Sequence, residues 1–195
     1  MTEQKEEWIS LLQKKLKPAR FRHSLNVADA AAELADRNGV DREKAYIAGL
    51  LHDIEKNAPP EEQKKYLYQL GDPVPRAVAE NPKLWHGPAG ACFIRDELGI
   101  TDPEIISAIQ YHTIGKKNMT KLEKIIYTAD LISKERSYPD VDEVRAAALQ
   151  NLDEGTFLGA QFTLQKLLAM RQPLNTDTLE LYNQLAEEFL QEERT

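Results

Sequence analysis

The chain has 195 residues, 42% of them hydrophobic and 29% charged, which is typical of a soluble globular protein with a sizeable core. Its net charge of −7 argues against nucleic acid or an anionic membrane as the main partner, because both favour basic surfaces. The single cysteine, Cys92, excludes an intrachain disulfide and fits a reducing cytosol. The first residues are acidic, unlike a secretory signal, and no apolar run reaches the length of a membrane span, so we expect a cytoplasmic protein.

Apolar residues recur at helical spacing along most of the chain. They predict helices over 3–16, 20–38, 41 to the His-Asp pair at 52–53, 61–69, from 86 onward, from 101 to 112, 120–132, 140–150, 154–171 and 176–193. The stretch from 71 to 82 contains several prolines and is predicted to be loop and short helix.

Capping residues support several of these helices. Gly39 predicts a C-cap for the second helix, and Asp41 predicts the N-cap of the third. Residues 101–104 and 120–123 each match a capping box, and Pro88 suits the first turn of its helix.

No segment shows the period-two alternation of a strand, and no internal repeat is present. We therefore predict an all-α helical bundle in one domain spanning 1–195. Its core is expected at about 18–150, with the C-terminal helices of 154–193 packing on it and the last helix at the periphery.

Six residues form a candidate metal site, because all four histidines of the chain fall at helix ends or on apolar helix faces. The six are His23, His52, Asp53, His86, His112 and Asp130. Imidazole and carboxylate ligands suit Fe, Mn, Zn or Co. Any one of these histidines alone is more often a capping or core residue, and a buried aspartate can be structural, so the interpretation depends on the whole set.

Asp53 has two oxygens and can bridge two metal ions. One ion would then be held by His23, His52 and Asp130, and the other by His86 and His112. Two ions a few Å apart can hold a hydroxide between them and clamp a phosphate oxygen, which is the arrangement for in-line attack on a phosphoester.

The order and spacing of His23, His52-Asp53 and Asp130 resemble the HD-domain phosphohydrolase superfamily. Further motifs resemble the YqeK family of bacterial symmetrical bis(5'-nucleosyl)-tetraphosphatases, at residues 20–25, 49–53, 86–88, 111–113, 122–125 and 129–130. The resemblance covers about residues 5–190 of the chain. It implies an HD-domain helical bundle, the six ligands above, a dinuclear centre that is usually iron, and cleavage of diadenosine tetraphosphate (Ap4A) to two ADP.

The resemblance also implies substrate-binding residues. Lys56 matches a phosphate-contacting lysine, which makes it a candidate catalytic residue beside Asp53, although a lysine on a polar turn is more often a solvated surface residue. Arg136 is the candidate for a bidentate phosphate contact, with the alternative that it satisfies a helix C-terminus. Thr113 matches the family's loop after the last histidine. Three residues depart from the family pattern and leave the shape of the nucleotide pocket open: Ser133, Lys134 and Tyr138.

The leading hypothesis is therefore a metal-dependent symmetrical Ap4A hydrolase that also binds ADP or GDP as a product-like ligand. One alternative keeps the metal site for a nucleotidase or a (p)ppGpp-type phosphohydrolase. Another is a non-catalytic nucleotide-sensing module with a structural metal. A complete ligand set favours an enzyme, because a binding module has no need of an open dinuclear centre. The sequence leaves the metal, the preferred nucleobase and the formation of a homodimer open.

Overall fold

The computed structural model of the protein describes residues 2–71, 74, 76–192 and 194, and it contains no strand within them. The helices are α1 Thr2–Lys15, α2 Pro18–Asn38, α3 Arg42–Leu51, α4 Pro60–Tyr66, α5 Arg76–Ala79, α6 His86–Asp96, α7 Pro103–Tyr111, α8 Lys121–Ile132, α9 Val141–Gln150, α10 Leu152–Ala169 and α11 Thr176–Glu192. A short 3₁₀ helix, Pro82–Leu84, lies between α5 and α6. The predicted all-α fold is confirmed. The predicted loop and short helix over 71–82 contains α5, although residues 72, 73 and 75 lie outside the described part.

Most of the predicted caps are present. Gly39 ends α2 in the left-handed conformation with φ +66°, and the Asp41 carboxylate accepts hydrogen bonds from the first amides of α3. The capping box at 120–123 is complete at the start of α8. The box predicted at 101–104 is wrong, because Asp102 is the N-cap of α7 and accepts from the amide of Glu104. A box needs its partner three residues after the cap, and Glu104 is only two residues away.

Some predicted helix boundaries are also wrong by two or three residues. Helix α10 begins at Leu152, two residues early, because the Asn151 side chain accepts hydrogen bonds from the amides of Asp153 and Glu154. Helix α4 ends at Tyr66, and the residues after it form turns instead of a further helical turn.

The main apolar core lies where α3 contacts α2, α7 and α8. Side chains at helical spacing, such as Val27 and Ala31 on α2 and Ile125, Ile126 and Ala129 on α8, are fully buried there. Burying one such Val or Ile side chain contributes roughly 1.5–3 kcal/mol, so this core fixes the helices that carry the candidate ligands.

The two C-terminal helices pack beside this core. Helix α10 contacts α8 and α9, and the hydroxyls of Thr128 and Thr156 lie 3.0 Å apart in that interface. The sequence predicts that the last helix, α11, lies at the periphery. In the structure Leu181 and Leu185 of α11 are buried, and they form a second, smaller apolar cluster together with Tyr127 of α8. None of the helices in the described part of the chain is long and apolar enough to cross a membrane.

Two glycines allow pairs of helices to approach closely. A Cβ atom at Gly49 would meet the Ala28 Cα and the Val27 carbonyl oxygen at 3.0 Å, so α3 crosses directly against α2. A Cβ atom at Gly87 would meet the Gln110 carbonyl oxygen at 2.8 Å, so α6 lies directly against the end of α7. These two crossings bring together histidines that are far apart in the sequence.

Replacing Gly87 with Ala is expected to destabilise the protein by about 1–3 kcal/mol, because the added methyl group meets a backbone carbonyl that cannot move alone. Thermal unfolding followed by circular dichroism measures the change. Gly90→Ala on the same helix is the matched control, since its Cβ would meet its nearest neighbours at 3.5 Å, an ordinary contact. Equal melting temperatures for the two variants would show that the α6–α7 crossing does not require glycine.

Candidate metal centre

The six predicted ligand residues lie in one cluster, supplied by five helices and the turns that follow them. His23 lies within α2, His52 and Asp53 follow α3, His86 begins α6, His112 follows α7 and Asp130 lies near the end of α8. Neighbouring imidazole rings have centroid distances of 4.9–5.2 Å. The four histidines and Asp53 are buried, and the Asp130 side chain is partly exposed.

Asp53 lies at the centre of this cluster. Its Oδ2 atom is 3.3 Å from Nε2 of His52 and 3.8 Å from Nε2 of His23. Its Oδ1 atom is 3.2 Å from Nε2 of His86 and 3.6 Å from Nε2 of His112. Burial opposes ionisation of this carboxyl, but the polar groups around it hold its pKa well below the usual range. Each oxygen thus faces a different pair of imidazoles.

Backbone carbonyls orient two of the imidazoles. His52 and His112 directly follow the last residues of α3 and α7, where the last helical carbonyls have no intrahelical partner. Nδ1 of His52 donates to the Gly49 oxygen at 2.6 Å, and Nδ1 of His112 donates to the Ile109 oxygen at 2.7 Å. With the proton on Nδ1, each Nε2 directs a lone pair into the cluster, which is the form that binds a metal.

His23 is oriented by side chains. Its Nδ1 donates to Oε1 of Glu135, and its Nε2 lies 2.9 Å from Oδ1 of Asp130. A neutral imidazole has only one N–H, so one of these two contacts needs a further proton or a cation. Burial opposes ionisation of Glu135, but hydrogen bonds from His23 and Ser133 outweigh it and lower its pKa to about 2. Sequence reasoning did not select Glu135 as a functional residue.

The donor atoms fit metal cations. Two groups have ligand atoms within 4.8 Å of one another, His23 with His52 and Asp130, and His52 with Asp53 and His112. Nε2 of His52 and Oδ1 of Asp53 are buried and have no hydrogen-bond partner within the described ranges. Buried lone pairs of this kind are rare unless a donor, a water or an ion satisfies them. The donors are all nitrogen and oxygen, which suits Fe, Mn, Zn or Co.

His86 completes the second side of the cluster. Its Nε2 lies 3.2 Å from Nε2 of His112, and burial lowers its pKa to about 4, so it is neutral at physiological pH. Nζ of Lys56 lies 2.9 Å from the same His86 nitrogen and 3.9 Å from Oδ1 of Asp53. Burial also lowers the pKa of Lys56. The lysine that sequence reasoning selected is therefore at the cluster.

Two arginines contact the carboxylates from the solvent side. Nη1 of Arg20 donates to Oδ2 of Asp53 at 2.7 Å. Arg136 pairs with the Asp130 carboxylate, and its Nε also donates to the Asp130 carbonyl at 2.8 Å. Both side chains are about one third exposed. Sequence reasoning did not select Arg20, although its position three residues before His23 places both on one face of α2.

A groove of about 750 Å³ borders this cluster. It is lined by Arg20 and His23 of α2, by Arg136 and by residues of α10 that include Phe162 and Lys166. The rings of Tyr138 and Phe162, both in its lining, stack with centroids 4.0 Å apart. The structure thus combines cations and an aromatic surface beside the cluster.

Thr113, the remaining predicted substrate residue, does not line this groove. It lies in a second cavity of about 430 Å³, together with Lys83, Asn175 and Thr178. Thr163 and Leu167 of α10 line both spaces, so the two are neighbours.

Comparison with known proteins agrees with the histidine–aspartate cluster. The model of the HD domain family matches residues 20–135, so this is an HD-domain protein. Over 181 residues the chain is 39% identical to the symmetrical bis(5'-nucleosyl)-tetraphosphatase of Bacillus subtilis (strain 168), covering 93% of this chain and 97% of that protein. A protein of the same name from Halalkalibacterium halodurans is 34% identical over 177 residues, covering 91% and 94%.

A crystal structure from Clostridium acetobutylicum, described as a predicted HD superfamily hydrolase involved in NAD metabolism, superimposes with a TM-score of 0.88. It is 35% identical and covers 94% of this chain and 97% of that one. The chain belongs to the family of symmetrical bis(5'-nucleosyl)-tetraphosphatases within the HD-domain proteins, which confirms the resemblance seen in the sequence.

Proposed function

We propose that this protein hydrolyses Ap4A symmetrically to two ADP at the histidine–aspartate cluster. The proposal rests on the geometry of Asp53: its two oxygens face two different pairs of imidazoles in a buried site. The relatives that match over almost their full length have the same activity in their names, which supports the choice of substrate.

The six clustered residues would hold two metal ions. The first would be bound by His23, His52 and Asp130, the second by His86 and His112, and Asp53 would contribute one oxygen to each. Iron is our first choice because of the family resemblance, and Mn, Co or Zn also suit these ligands. When bound, the ions would supply Lewis acidity and lower the pKa of a water molecule for in-line attack on phosphorus.

The chain's own cations would bind the polyphosphate. Arg20, Lys56 and Arg136 all lie at the carboxylates of the cluster, and about a third of each side chain is exposed. Charge-assisted hydrogen bonds from such groups are about twice as strong as neutral ones. They would attract a tetraphosphate to a site on a chain whose net charge is −7, and hold an inner phosphate at the cluster.

The groove would hold one nucleoside. Its volume lies within the range of small-molecule sites, and the Tyr138–Phe162 pair offers an aromatic surface for a base. Lys166, whose Nζ lies 6.0 Å from the Phe162 centroid, would add a further cation. Thr113 would contact the other half of the substrate from the second cavity. Because α10 supplies walls of both spaces, we propose that the C-terminal helices and the 18–150 core act as one domain.

The reaction in ¹⁸O-labelled water tests the position of the cut. With Mn²⁺-loaded protein and Ap4A we expect ADP as the only nucleotide product, with one ¹⁸O atom for every two ADP molecules. The same protein treated with a chelator is the control and should form no product. ATP and AMP as the main products would contradict symmetrical cleavage. Faster turnover of ppGpp or dNTPs than of Ap4A would favour the alternative phosphohydrolases.

A further inference from the structure

We propose that Glu135 is the positioning residue that holds His23 in the tautomer and orientation needed to bind a metal. This inference rests on the proposed metal centre. It concerns a carboxylate that lines the groove, lies outside the six predicted ligands, and contacts one of them directly.

The first argument is the place of His23 in the chain. His52 and His112 use free carbonyls at helix ends, but His23 lies inside α2, Pro18–Asn38, where the backbone carbonyls are bonded within the helix. The acceptor for its Nδ1–H must therefore come from a side chain. Glu135, which lies 112 residues later in the chain, supplies it.

The second argument is that Glu135 is itself held in place. Its Oε2 accepts a hydrogen bond from Nδ2 of Asn26 at 2.6 Å, and its Oε1 accepts one from the Ser133 hydroxyl at 2.8 Å. Asn26 is one turn after His23 on α2, so one helix presents both groups that the carboxylate binds. Because Asn26 and Ser133 also hold the Glu135 carboxylate, it can fix the orientation of the His23 ring.

The third argument is the turn that carries Glu135. Arg145 of α9 donates to three carbonyls of this turn, those of Ile132 at 2.8 Å, Ser133 at 3.0 Å and Arg136 at 2.8 Å. These bonds fix the backbone of 132–136 next to α2. Ser133, which departs from the family pattern, is thus part of an ordered arrangement that brings Glu135 to His23.

The consequence for metal binding follows from the imidazole chemistry. With Nδ1–H donated to Glu135, the Nε2 lone pair points to Asp130 and Asp53. Hydrogen-bonded carboxylates of this kind raise the basicity of a ligating histidine, and their loss typically weakens metal binding by about 10–100-fold. Without Glu135 the ring can also exchange tautomers and turn.

Three variants test the inference, with Zn²⁺ as the probe. In Glu135→Ala we expect Zn²⁺ affinity, measured by competition with a chromogenic chelator, to fall by about 10–100-fold. Glu135→Gln keeps an acceptor oxygen and should lose less. Glu33→Ala is the matched control, because it removes an exposed carboxylate on α2 that pairs only with Arg37 among the described contacts. Its affinity should equal that of the wild type.

A second readout does not depend on metal. In ¹⁵N NMR of metal-free, histidine-labelled protein, His23 should be protonated at Nδ1 in the wild type and should change its signals in Glu135→Ala. Unchanged affinity together with unchanged His23 signals would overturn the inference. If circular dichroism shows that Glu135→Ala does not fold, the test passes to Glu135→Gln. That variant must then show a smaller loss of Zn²⁺ affinity and a smaller change in the His23 signals, or the inference is wrong. A wild-type protein that binds no Zn²⁺ would contradict the proposed metal centre, while the His23 signals would still decide the role of Glu135.

Discussion

An Asp53→Asn variant is expected to fold and to lose Ap4A turnover by on the order of 10²–10³-fold. The substitution keeps the volume of the side chain but replaces one oxygen with an N–H donor and removes the negative charge. Because the two oxygens face all four imidazoles, both metal positions should weaken together. Elemental analysis of protein purified without chelator or a metal-binding tag should show a fall from two metal ions per chain to one or none.

Asp29→Asn is the matched control for that variant. Asp29 is exposed on the same helix as His23, and its replacement changes the net charge by the same amount. It should keep wild-type metal content and turnover. Circular dichroism should show native helix content in both variants. Two metal ions per chain and normal turnover in Asp53→Asn would exclude Asp53 as the shared ligand.

Replacing Arg136 with Ala is expected to reduce kcat/KM by an amount that corresponds to about 2–5 kcal/mol, the loss found when one partner of a hydrogen-bonded charge pair is truncated. Arg136 contacts the Asp130 carboxylate and lines the groove, so it is placed to bind a phosphate beside the cluster. Metal content should remain near two ions per chain, because all six ligands are still present. Steady-state kinetics and elemental analysis of the same preparations separate the two effects.

Arg136→Lys keeps the charge without the planar guanidinium and should give an intermediate kcat/KM. Arg37→Ala, an exposed arginine on α2 that pairs with Glu33, is the control and should not change kinetics. A normal kcat/KM in Arg136→Ala would mean that Arg136 only satisfies the end of α8 through the Asp130 carbonyl. Phosphate binding would then be assigned to Arg20 and Lys56.

The clustering of the six candidate ligands could be predicted from the sequence because several of them occupy positions with local signatures. His52 and His112 lie at helix ends. In a sequence such an end is visible as the point where the helical spacing of apolar residues ceases. Asp130 is a carboxylate on an apolar helix, which is rare without a reason. These signals are local, and the fold then brings them together as predicted.

Glu135 and Arg20 were not selected from the sequence, for different reasons. The partner of Glu135 is 112 residues away, and nothing near it distinguishes it from the many solvated carboxylates of an acidic chain. Arg20 carried a usable signal, its spacing of three residues from His23 on one helix face. The wrong capping box at 101–104 has a different cause. Thr101 and Asp102 are both residue types that cap helices well. Pro103 occupies the first helical position, so the residue directly before it, Asp102, becomes the N-cap.

The placement of the cluster on helices from both halves of the chain has a consequence for stability. A metal ion bound by His23 and Asp130 would act as a cross-link and close a loop of about 107 residues. By the chain-entropy argument used for disulfides, a loop of that length restricts the unfolded chain by on the order of 4–5 kcal/mol at 25 °C. The unfolding temperature should therefore depend on free metal concentration, because each tenfold excess over Kd adds about 1.4 kcal/mol to the free energy of unfolding. In this protein the supply of metal would therefore affect the free energy of unfolding as well as the activity.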